Sequence, residues 1–349
     1  MTITVRLLET AFFGIVGGFI FYLGNLPLPW VLGSLTFVML WQGFTKRIAC
    51  WPQSIRNGGF IVLGTFFGLY FGAETIKTIA PYFIPYLFVT CILIMISIFI
   101  GLAVTKWIQV DQITSVFGSI PGGLSEMVLA SESLHANSSL VVIFQTVRLL
   151  TVLFTVPGAI IYYFSDKGHS SAMLMDTFVF DGWNYFWFVL PIIGGLLVKD
   201  RIPAGFVIAP LAITAVMNMT FFDLASIPPF VVIGAQVAVG IAIGKNISFK
   251  DLKAGGKYCV VYFAITLSLI VVSIGLGVLL AQMTSLNLKT AILSISPGGL
   301  IEMVLTAATV GGDPAVVSAL QLTRILVIVI FVPSFLKWFF KKRARQKEA

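Results

Sequence analysis

The chain has 349 residues, of which 58% are hydrophobic and only 10% charged. A soluble globular domain carries about 25% charged residues. This composition therefore excludes a soluble enzyme, a disordered chain and a nucleic-acid-binding module, and it predicts a membrane protein whose net charge of +8 lies mainly in basic cytoplasmic loops. The two histidines and three scattered cysteines predict neither a metal site nor a disulfide framework, and we expect no cofactor.

The predicted elements begin with apolar stretches near residues 7–24, 28–44 and 57–73. A bilayer core about 30 Å thick requires roughly 20 apolar residues in a helix. The clearest span is Thr78–Thr105, which contains no charged residue, and another apolar stretch covers 138–163. We interpret the first stretch as a retained helix and not as a signal peptide, because no small-residue cleavage site follows it.

The second half of the chain repeats the first at a constant spacing. The segment 120–129 reads IPGGLSEMVL, and the segment 296–305 reads SPGGLIEMVL. We call the difference in residue number between these two segments the repeat offset. The same offset pairs Gln145 with Gln321, Arg148 with Arg324 and Pro157 with Pro333. The sequence therefore predicts a first copy at 7–163, a linker at 164–182, a second copy at 183–339 and a basic cytoplasmic tail at 340–349.

The charges of equivalent loops predict that the two copies face opposite ways. Short cytoplasmic loops are enriched in lysine and arginine. In the first copy the basic loop follows the second span and contains Lys46, Arg47 and Arg56, whereas in the second copy the basic loop follows the first span, at 199–201. We expect both termini to be cytoplasmic, with the protein in the bacterial plasma membrane.

Inverted copies require an odd number of crossings in each copy. Five crossings result if the segments 111–135 and 287–311 enter and leave on one side as re-entrant hairpins. If each segment instead crosses as a broken helix, each copy has six crossings and the copies are parallel. The charges favour the hairpins. The predicted fold is an all-α polytopic membrane protein with two inverted repeats of about five transmembrane helices, each containing a re-entrant Pro-Gly-Gly hairpin.

Each Pro-Gly-Gly sequence predicts an interrupted helix at a substrate-binding or ion-binding site. Proline and glycine break helicity, and the restarted helix presents unpaired N–H groups and a positive dipole end that attract an anion. The alternative is that the glycines only allow two helices to approach closely. Duplication favours binding, since interrupted segments at equivalent positions mark the site in secondary transporters. The predicted binding residues of the two Pro-Gly-Gly sequences are Pro121, Gly122, Gly123, Pro297, Gly298 and Gly299.

Glu126 and Glu302 follow the interruptions by one helical turn. An acid inside a membrane costs about 2.5–3.5 kcal/mol on insertion scales, so it is a functional candidate. We predict that each glutamate takes up a proton or coordinates a coupling cation. The alternative is a helix cap or a structural ion pair.

Gln145 and Arg148, like Gln321 and Arg324, are three residues apart on long apolar helices. This spacing places the amide and the guanidinium group on one helical face. Because guanidinium groups bind carboxylates and phosphates bidentately, we predict an anion ligand at each hairpin. The alternative is that each arginine pairs with the glutamate of its own copy, and exchange between the two partners would make a switch.

The duplicated Pro-Gly-Gly-Leu-x-Glu-Met motif, followed by the Gln-x-x-Arg helix and its proline, resembles the AbrB family of bacterial membrane proteins. This family is distinct from the soluble DNA-binding regulator of the same name. The resemblance includes the segment LPLPW at 26–30, but the second copy departs there, with Gly205 where the first has Pro29. Members are described as transporters, as regulators of gene expression or as ammonia monooxygenases. The last description does not fit a chain without a metal-ligand cluster.

We therefore expect a secondary transporter of a small solute, preferably an anion, coupled to H⁺ or Na⁺. The alternative is a membrane-embedded sensor or regulator of gene expression without sustained transport. The sequence has no ATP-binding motif and no Ser–His or Cys–His arrangement, so we do not expect an enzyme. The expected partners are the solute or ion, the lipid bilayer and, by analogy with similar carriers, a second copy of the chain, but not nucleic acid.

Overall fold

The computed structural model of the protein describes residues 3–45, 47–134, 136–164, 182–199, 201–220 and 224–348. The predicted linker at 164–182 lies, apart from its two end residues, outside the described residues. Throughout the described ranges the regular secondary structure is helical, with no β-strand. This confirms the predicted all-α class.

The first half of the chain contains eight α-helices in its described part. They are α1 (Ile3–Leu23), α2 (Ser34–Thr45), α3 (Gln53–Gly68), α4 (Thr75–Ile79), α5 (Phe83–Val104), α6 (Gln112–Ser119), α7 (Leu124–Glu132) and α8 (Ser138–Phe164). A π-helical turn at Pro29–Gly33 leads into α2, and a 3₁₀ turn at Ala80–Tyr82 joins α4 to α5.

The second half contains seven α-helices in its described part. They are α9 (Val189–Val198), α10 (Gly205–Met219), α11 (Pro229–Asn246), α12 (Phe249–Met283), α13 (Leu288–Ile295), α14 (Leu300–Val310) and α15 (Pro314–Glu348). Helix α12 has a kink at Gly256, where φ is +45°. Helices α6 and α13 begin and end at positions related by the repeat offset. Helices α7 and α14 also begin at positions related by this offset.

Six helical segments of the described residues are long and apolar enough to cross a bilayer. They are Ile3–Leu23, Thr75–Val104, Ser138–Phe164, Pro229–Asn246, Leu252–Met283 and Pro314–Phe340. This finding confirms a polytopic membrane protein. The stretches 28–44 and 57–73 hold the shorter helices α2 and α3, of 12 and 16 residues, so ten crossings remain a prediction.

Many of the buried hydroxyl groups donate hydrogen bonds within their own apolar helix. The Oγ1 atom of Thr151 donates a hydrogen bond to the carbonyl of Val147 at 2.7 Å, and the Oγ atom of Ser97 donates to the carbonyl of Leu93 at 2.8 Å. A hydroxyl that bonds four residues back leaves no unmet donor toward lipid. Serine and threonine are therefore compatible with these membrane-spanning helices.

Contacts divide the chain into two compact units. Unit 1 contains the described residues of 1–80, 157–249 and 301–318, and unit 2 contains those of 81–156, 250–300 and 319–349. Each unit draws helices from both halves of the chain.

In unit 1, glycines allow helices of the two halves to touch at their backbones. A Cβ atom at Gly64 of α3 would overlap the carbonyl oxygen of Val207 in α10. A Cβ atom at Gly240 of α11 would likewise overlap the carbonyl oxygen of Val31. The repeat offset relates the two glycines to each other and the two valines to each other. Only glycine permits this approach.

In unit 2, the long helices α5 and α12 pack against the short helices α6 and α13. Gly101 of α5 faces Val116 of α6, and Gly277 of α12 faces Ile292 of α13. Buried apolar side chains fill the space around α6, and Phe117 and Ile120 are fully buried there. This packing holds the ends of α6 and α13 in place inside the protein.

Candidate functional site

Helices α6 and α13 are short because each has a cap at its start and a proline after its end. The Asp111 side chain accepts a hydrogen bond from the backbone N–H of Thr114 at 2.8 Å, and the Asn287 side chain accepts one from Lys289 at 3.2 Å. The residues that end the helices have extended backbones, with ψ of 131° at Ile120 and 134° at Ser296. A following proline disfavours helical backbone at these positions.

The chain after α6 turns back toward the start of α6. The backbone N–H of Asn137, which follows α7, donates to the Oγ1 atom of Thr114 at 2.9 Å. Thr114 lies in the first turn of α6. The two ends of the segment α6–α7 are therefore adjacent. We call the non-helical residues Ile120–Gly123 the first break and Ser296–Gly299 the second break.

At the first break, two buried side chains of α8 bind the carbonyl groups that end α6. The Gln145 amide donates from Nε2 to the carbonyl oxygens of Phe117 at 2.5 Å and Ile120 at 3.2 Å. Arg148 donates from Nη1 to Ile120 O at 2.5 Å and from Nη2 to Gly122 O at 2.9 Å. One amide and one guanidinium group together cover the end of the helix.

The second break repeats this arrangement with side chains of α15. The Gln321 amide donates from Nε2 to the carbonyl oxygens of Leu293 at 2.7 Å and Ser296 at 3.3 Å. Arg324 donates from Nη1 to Ser296 O and from Nη2 to Gly298 O, the latter at 2.7 Å. The repeat offset relates each of these donors and acceptors to its counterpart at the first break.

These contacts explain why arginine is stable in such a buried position. The last carbonyl groups of a helix have no partner within the helix, and they form the negative end of its dipole. A guanidinium group there satisfies them with charge-assisted hydrogen bonds. The side chains of the described residues form two salt bridges, Arg47–Glu9 and Lys77–Glu74, neither of which includes Arg148 or Arg324.

Four buried polar atoms at the two breaks have no hydrogen-bond partner among the residues that the structure describes. They are the amide oxygens Oε1 of Gln145 and Gln321 and the guanidinium nitrogens Nε of Arg148 and Arg324. All four side chains are at most 7% exposed. Leaving a buried polar group unpaired costs about 1–3 kcal/mol, so four such atoms at equivalent positions call for an explanation.

The remaining predicted site residues differ in their surroundings. Pro121 and Pro297 are buried, and the four glycines after them range from half-buried to exposed. Glu302 lies in the first turn of α14 and is 4% exposed. Glu126 lies in α7, but its side chain is outside the described part of the structure.

Two tyrosines that the sequence analysis missed contact the short helices. The hydroxyl of Tyr86 in α5 donates to the carbonyl of Ser294 in α13 at 3.2 Å. The hydroxyl of Tyr262 in α12 donates a hydrogen bond to the carbonyl oxygen of Ser115 in α6. It also lies 2.9 Å from the Oγ atom of Ser115. Each tyrosine thus contacts the short helix from the other half of the chain. The two tyrosines are related by the repeat offset, and this was the sequence signal that could have identified them.

The described residues contain no group of three or more histidine, cysteine, aspartate or glutamate side chains that could hold a metal ion. The polar groups at the breaks are amides, guanidinium groups and the ends of short helices. These groups can neutralise and orient an anion.

The chain is similar to proteins of known families. Residues 30–340 match the family described as "Transition state regulatory protein AbrB". The chain is 22% identical to "Uncharacterized protein YhjN" of Bacillus subtilis (strain 168), over 95% of this chain and 92% of that protein. It is 23% identical to "Putative regulator AbrB" of Escherichia coli (strain K12), over 92% of this chain and 93% of that protein. No solved structure gives a significant match to the chain. Because the family match covers most of the sequence and confirms the resemblance seen in its motifs, the chain belongs to the AbrB family.

Proposed function

We propose that the protein is a secondary transporter that binds a small anionic solute at the two breaks and uses a gradient of H⁺ or Na⁺. The observation that carries the proposal is the matched pair of buried Gln–Arg networks, each on an interrupted helix. Interrupted helices at equivalent positions of two halves form the substrate site in secondary transporters. The proposal assigns no catalytic step to the chain.

The proposed topology has two inverted repeats, each with a re-entrant hairpin. The hydrogen bond from Asn137 N to Thr114 Oγ1 supports the hairpin, because it joins the two ends of the segment α6–α7. A straight crossing would separate these ends by about 30 Å. In this topology both termini lie on the cytoplasmic side, and the protein resides in the plasma membrane.

Labelling of single cysteines tests this topology. Gln109 and Ser285 are exposed, lie just before α6 and α13, and are related by the repeat offset. We expect Gln109→Cys and Ser285→Cys, in a chain without Cys50, Cys91 and Cys259, to react with a membrane-impermeant maleimide from opposite sides. Reaction of both from one side would contradict the inversion and favour parallel repeats with six crossings each.

Flux in proteoliposomes tests the transport proposal. We expect imposed H⁺ or Na⁺ gradients to drive uptake of a small anion. Arg148→Gln and Arg324→Gln, which remove a buried positive charge, are expected to lower that uptake at least tenfold. The matched control is Arg47→Gln, because the Arg47 side chain is 52% exposed and pairs with Glu9. If the two variants fold normally and keep full uptake, the anion site is not at the breaks.

We propose that Glu302 and Glu126 couple the solute to the driving ion. An acid buried in the membrane can release and take up a proton as the protein alternates. We expect Glu302→Gln and Glu126→Gln to retain exchange of the solute across the membrane but to lose gradient-driven accumulation. Glu74→Gln is the control, since that carboxylate is 78% exposed. Unchanged accumulation in both variants would remove this assignment.

The second candidate function is a membrane-embedded sensor that alters gene expression. The family description and the name of the Escherichia coli relative both refer to regulation. A sensor would bind the same anion but would show no counterflow in proteoliposomes. Measurement of both binding and flux on the same preparation therefore separates the two functions.

A further inference from the structure

The two breaks belong to one packed cluster within unit 2. Helix α5 packs against α6 at Gly101, and through Tyr86 it also hydrogen-bonds to α13. Helix α12 packs against α13 at Gly277, and through Tyr262 it also hydrogen-bonds to α6. Both short helices are therefore held by the same two long helices. The two breaks follow directly at the ends of these short helices.

The helix that carries Arg324 packs beside the first break. Ile328 of α15, one helical turn after Arg324, belongs to the same buried hydrophobic cluster as Ile120, whose carbonyl accepts a hydrogen bond from Arg148. Both arginines are buried, since Arg148 is 7% exposed and Arg324 is 3% exposed. Two positive charges in a medium of low dielectric constant repel strongly, and an anion between them would relieve the repulsion.

The unpaired atoms define what such an anion would need. Within the described part of the chain, the two Nε–H groups of Arg148 and Arg324 are donors without an acceptor. The two Oε1 atoms of Gln145 and Gln321 are acceptors without a donor. A cation could meet the amide oxygens, but the adjacent guanidinium groups would repel it. The complementary ligand therefore carries both negatively charged oxygens and hydroxyl groups.

We propose that the two breaks form a single site for one anion per chain, and that this anion is a small oxyanion or carboxylate that bears its own hydroxyl group. Its charged oxygens accept hydrogen bonds from the Nε–H groups of Arg148 and Arg324. Its hydroxyl donates to the amide oxygen of Gln145 or Gln321. The inference rests on the proposed function. It narrows the solute to a hydroxylated or partly protonated anion that is bound by groups from both halves of the chain at once.

Titration calorimetry on the full chain in detergent, with matched pairs of anions, tests the proposal. The pairs are malate with succinate, lactate with propionate, and phosphate at pH 6 with sulfate. We expect one anion per chain. In at least one pair, the hydroxylated anion should bind about tenfold more tightly, because the other leaves a buried amide oxygen without a donor. A stoichiometry of two, or equal affinities within every pair, overturns the proposal.

Conservative variants test whether the site is shared. Arg148→Lys and Arg324→Lys keep the positive charge and donors for the carbonyl groups, but they lose the Nε–H group. We expect each variant alone to weaken binding of the preferred anion by roughly ten- to a hundredfold in every molecule, with the stoichiometry still one. Arg47→Lys is the matched control and should bind as the unchanged chain does. If either variant retains a class of sites with unchanged affinity, the breaks are independent.

A glutamine variant tests the role of the hydroxyl group. Gln321→Met and Gln145→Met keep the length of the side chain but remove the amide oxygen. We expect the double variant to bind malate and succinate with affinities that differ less than twofold. A preserved tenfold preference would show that the amide oxygens do not read the hydroxyl group and would overturn that part of the proposal.

The outcomes also separate this inference from the proposed function. Binding of one hydroxylated anion without flux in proteoliposomes would refute transport and leave the shared site intact. Gradient-driven flux of a solute without a hydroxyl group, with no binding of any probe of the three pairs, would support transport and overturn the inference.

Discussion

The two breaks share four equivalent hydrogen bonds but differ in their surroundings. Arg148 binds two carbonyl groups, whereas Arg324 has a third and longer bond, to Ile295 O at 3.4 Å. Gly123 at the first break is exposed, whereas Gly299 at the second break is half-buried. Helix α7 has 9 residues and α14 has 11. The second break is therefore the more enclosed of the two, and variants at equivalent positions should have larger effects there.

The largest expected difference concerns the arginines themselves. Arg324→Met leaves the carbonyl groups at the second break without a charged donor, and we expect it to lower the free energy of unfolding by about 4 kcal/mol. We expect about 3 kcal/mol for Arg148→Met, which removes fewer bonds. Denaturant-induced unfolding in micelles measures both values. An equal or reversed order would mean that enclosure does not determine the strength of the network.

The next difference concerns the glycines that admit the short helices. A Cβ atom at Gly277 would lie 2.7 Å from the Cα atom of Ile292, whereas one at Gly101 would lie 3.0 Å from that of Val116. We expect Gly277→Ala to destabilise the protein by about 2 kcal/mol and Gly101→Ala by about 1 kcal/mol. Thermal unfolding measures both effects.

Helix α12 provides the matched control for these glycine variants. Gly275 has open space around the position of a Cβ atom. Gly275→Ala should therefore stabilise the helix by about 0.5 kcal/mol, since alanine restricts the unfolded chain more than glycine does. Destabilisation by Gly275→Ala would show that the glycine effects arise from something other than close packing.

A smaller difference is expected between the tyrosines. Tyr262 contacts two oxygen atoms of Ser115, and Tyr86 contacts one of Ser294. Removal of a hydroxyl leaves those acceptors without this donor. We expect a loss of about 1.5 kcal/mol for Tyr262→Phe and about 1 kcal/mol for Tyr86→Phe. Urea-induced unfolding in micelles should resolve the difference, and a neutral Tyr262→Phe variant would argue that the stacked ring at Phe144, 3.6 Å away, is the main contact.

The smallest effects concern the helix caps, and here, as for the tyrosine that contacts α6, the larger effect is expected at the first short helix. Asp111 accepts at 2.8 Å from the third residue after it, whereas Asn287 accepts at 3.2 Å from the second. We expect Asp111→Ala to cost about 1 kcal/mol and Asn287→Ala about 0.5 kcal/mol. The same unfolding measurement applies. A larger effect of Asn287→Ala would mean that the second break is more sensitive even at its far end.

The helical class and the positions of the breaks could be predicted because they depend on local sequence. A charge-free stretch such as 78–105 can satisfy its backbone as a helix. The Pro-Gly-Gly sequences at 121–123 and 297–299 interrupt a helix, whereas Pro157 and Pro333, which are not followed by two glycines, lie inside α8 and α15. Because the sequence is duplicated, each of these features is indicated twice, once in each half of the chain.

The partners of the arginines could not be predicted, because they are backbone groups. The sequence shows that Arg148 needs an acceptor, but the carbonyl groups of Ile120 and Gly122 carry no sequence signal. The sequence offers an anion or a glutamate as that acceptor. The same reason explains why Tyr86 was missed, since its acceptor is the carbonyl of Ser294. Long-range contacts to the main chain become visible only in three dimensions.

The crossed tyrosines have a consequence for the origin of the chain. Tyr86 contacts a helix of the second half, and Tyr262 contacts a helix of the first. A half-length ancestor could not have made these contacts within one polypeptide, because the two partners lie on different halves. It would have needed a second molecule of itself, so gene fusion would have joined a pre-existing homodimer and left each half dependent on the other.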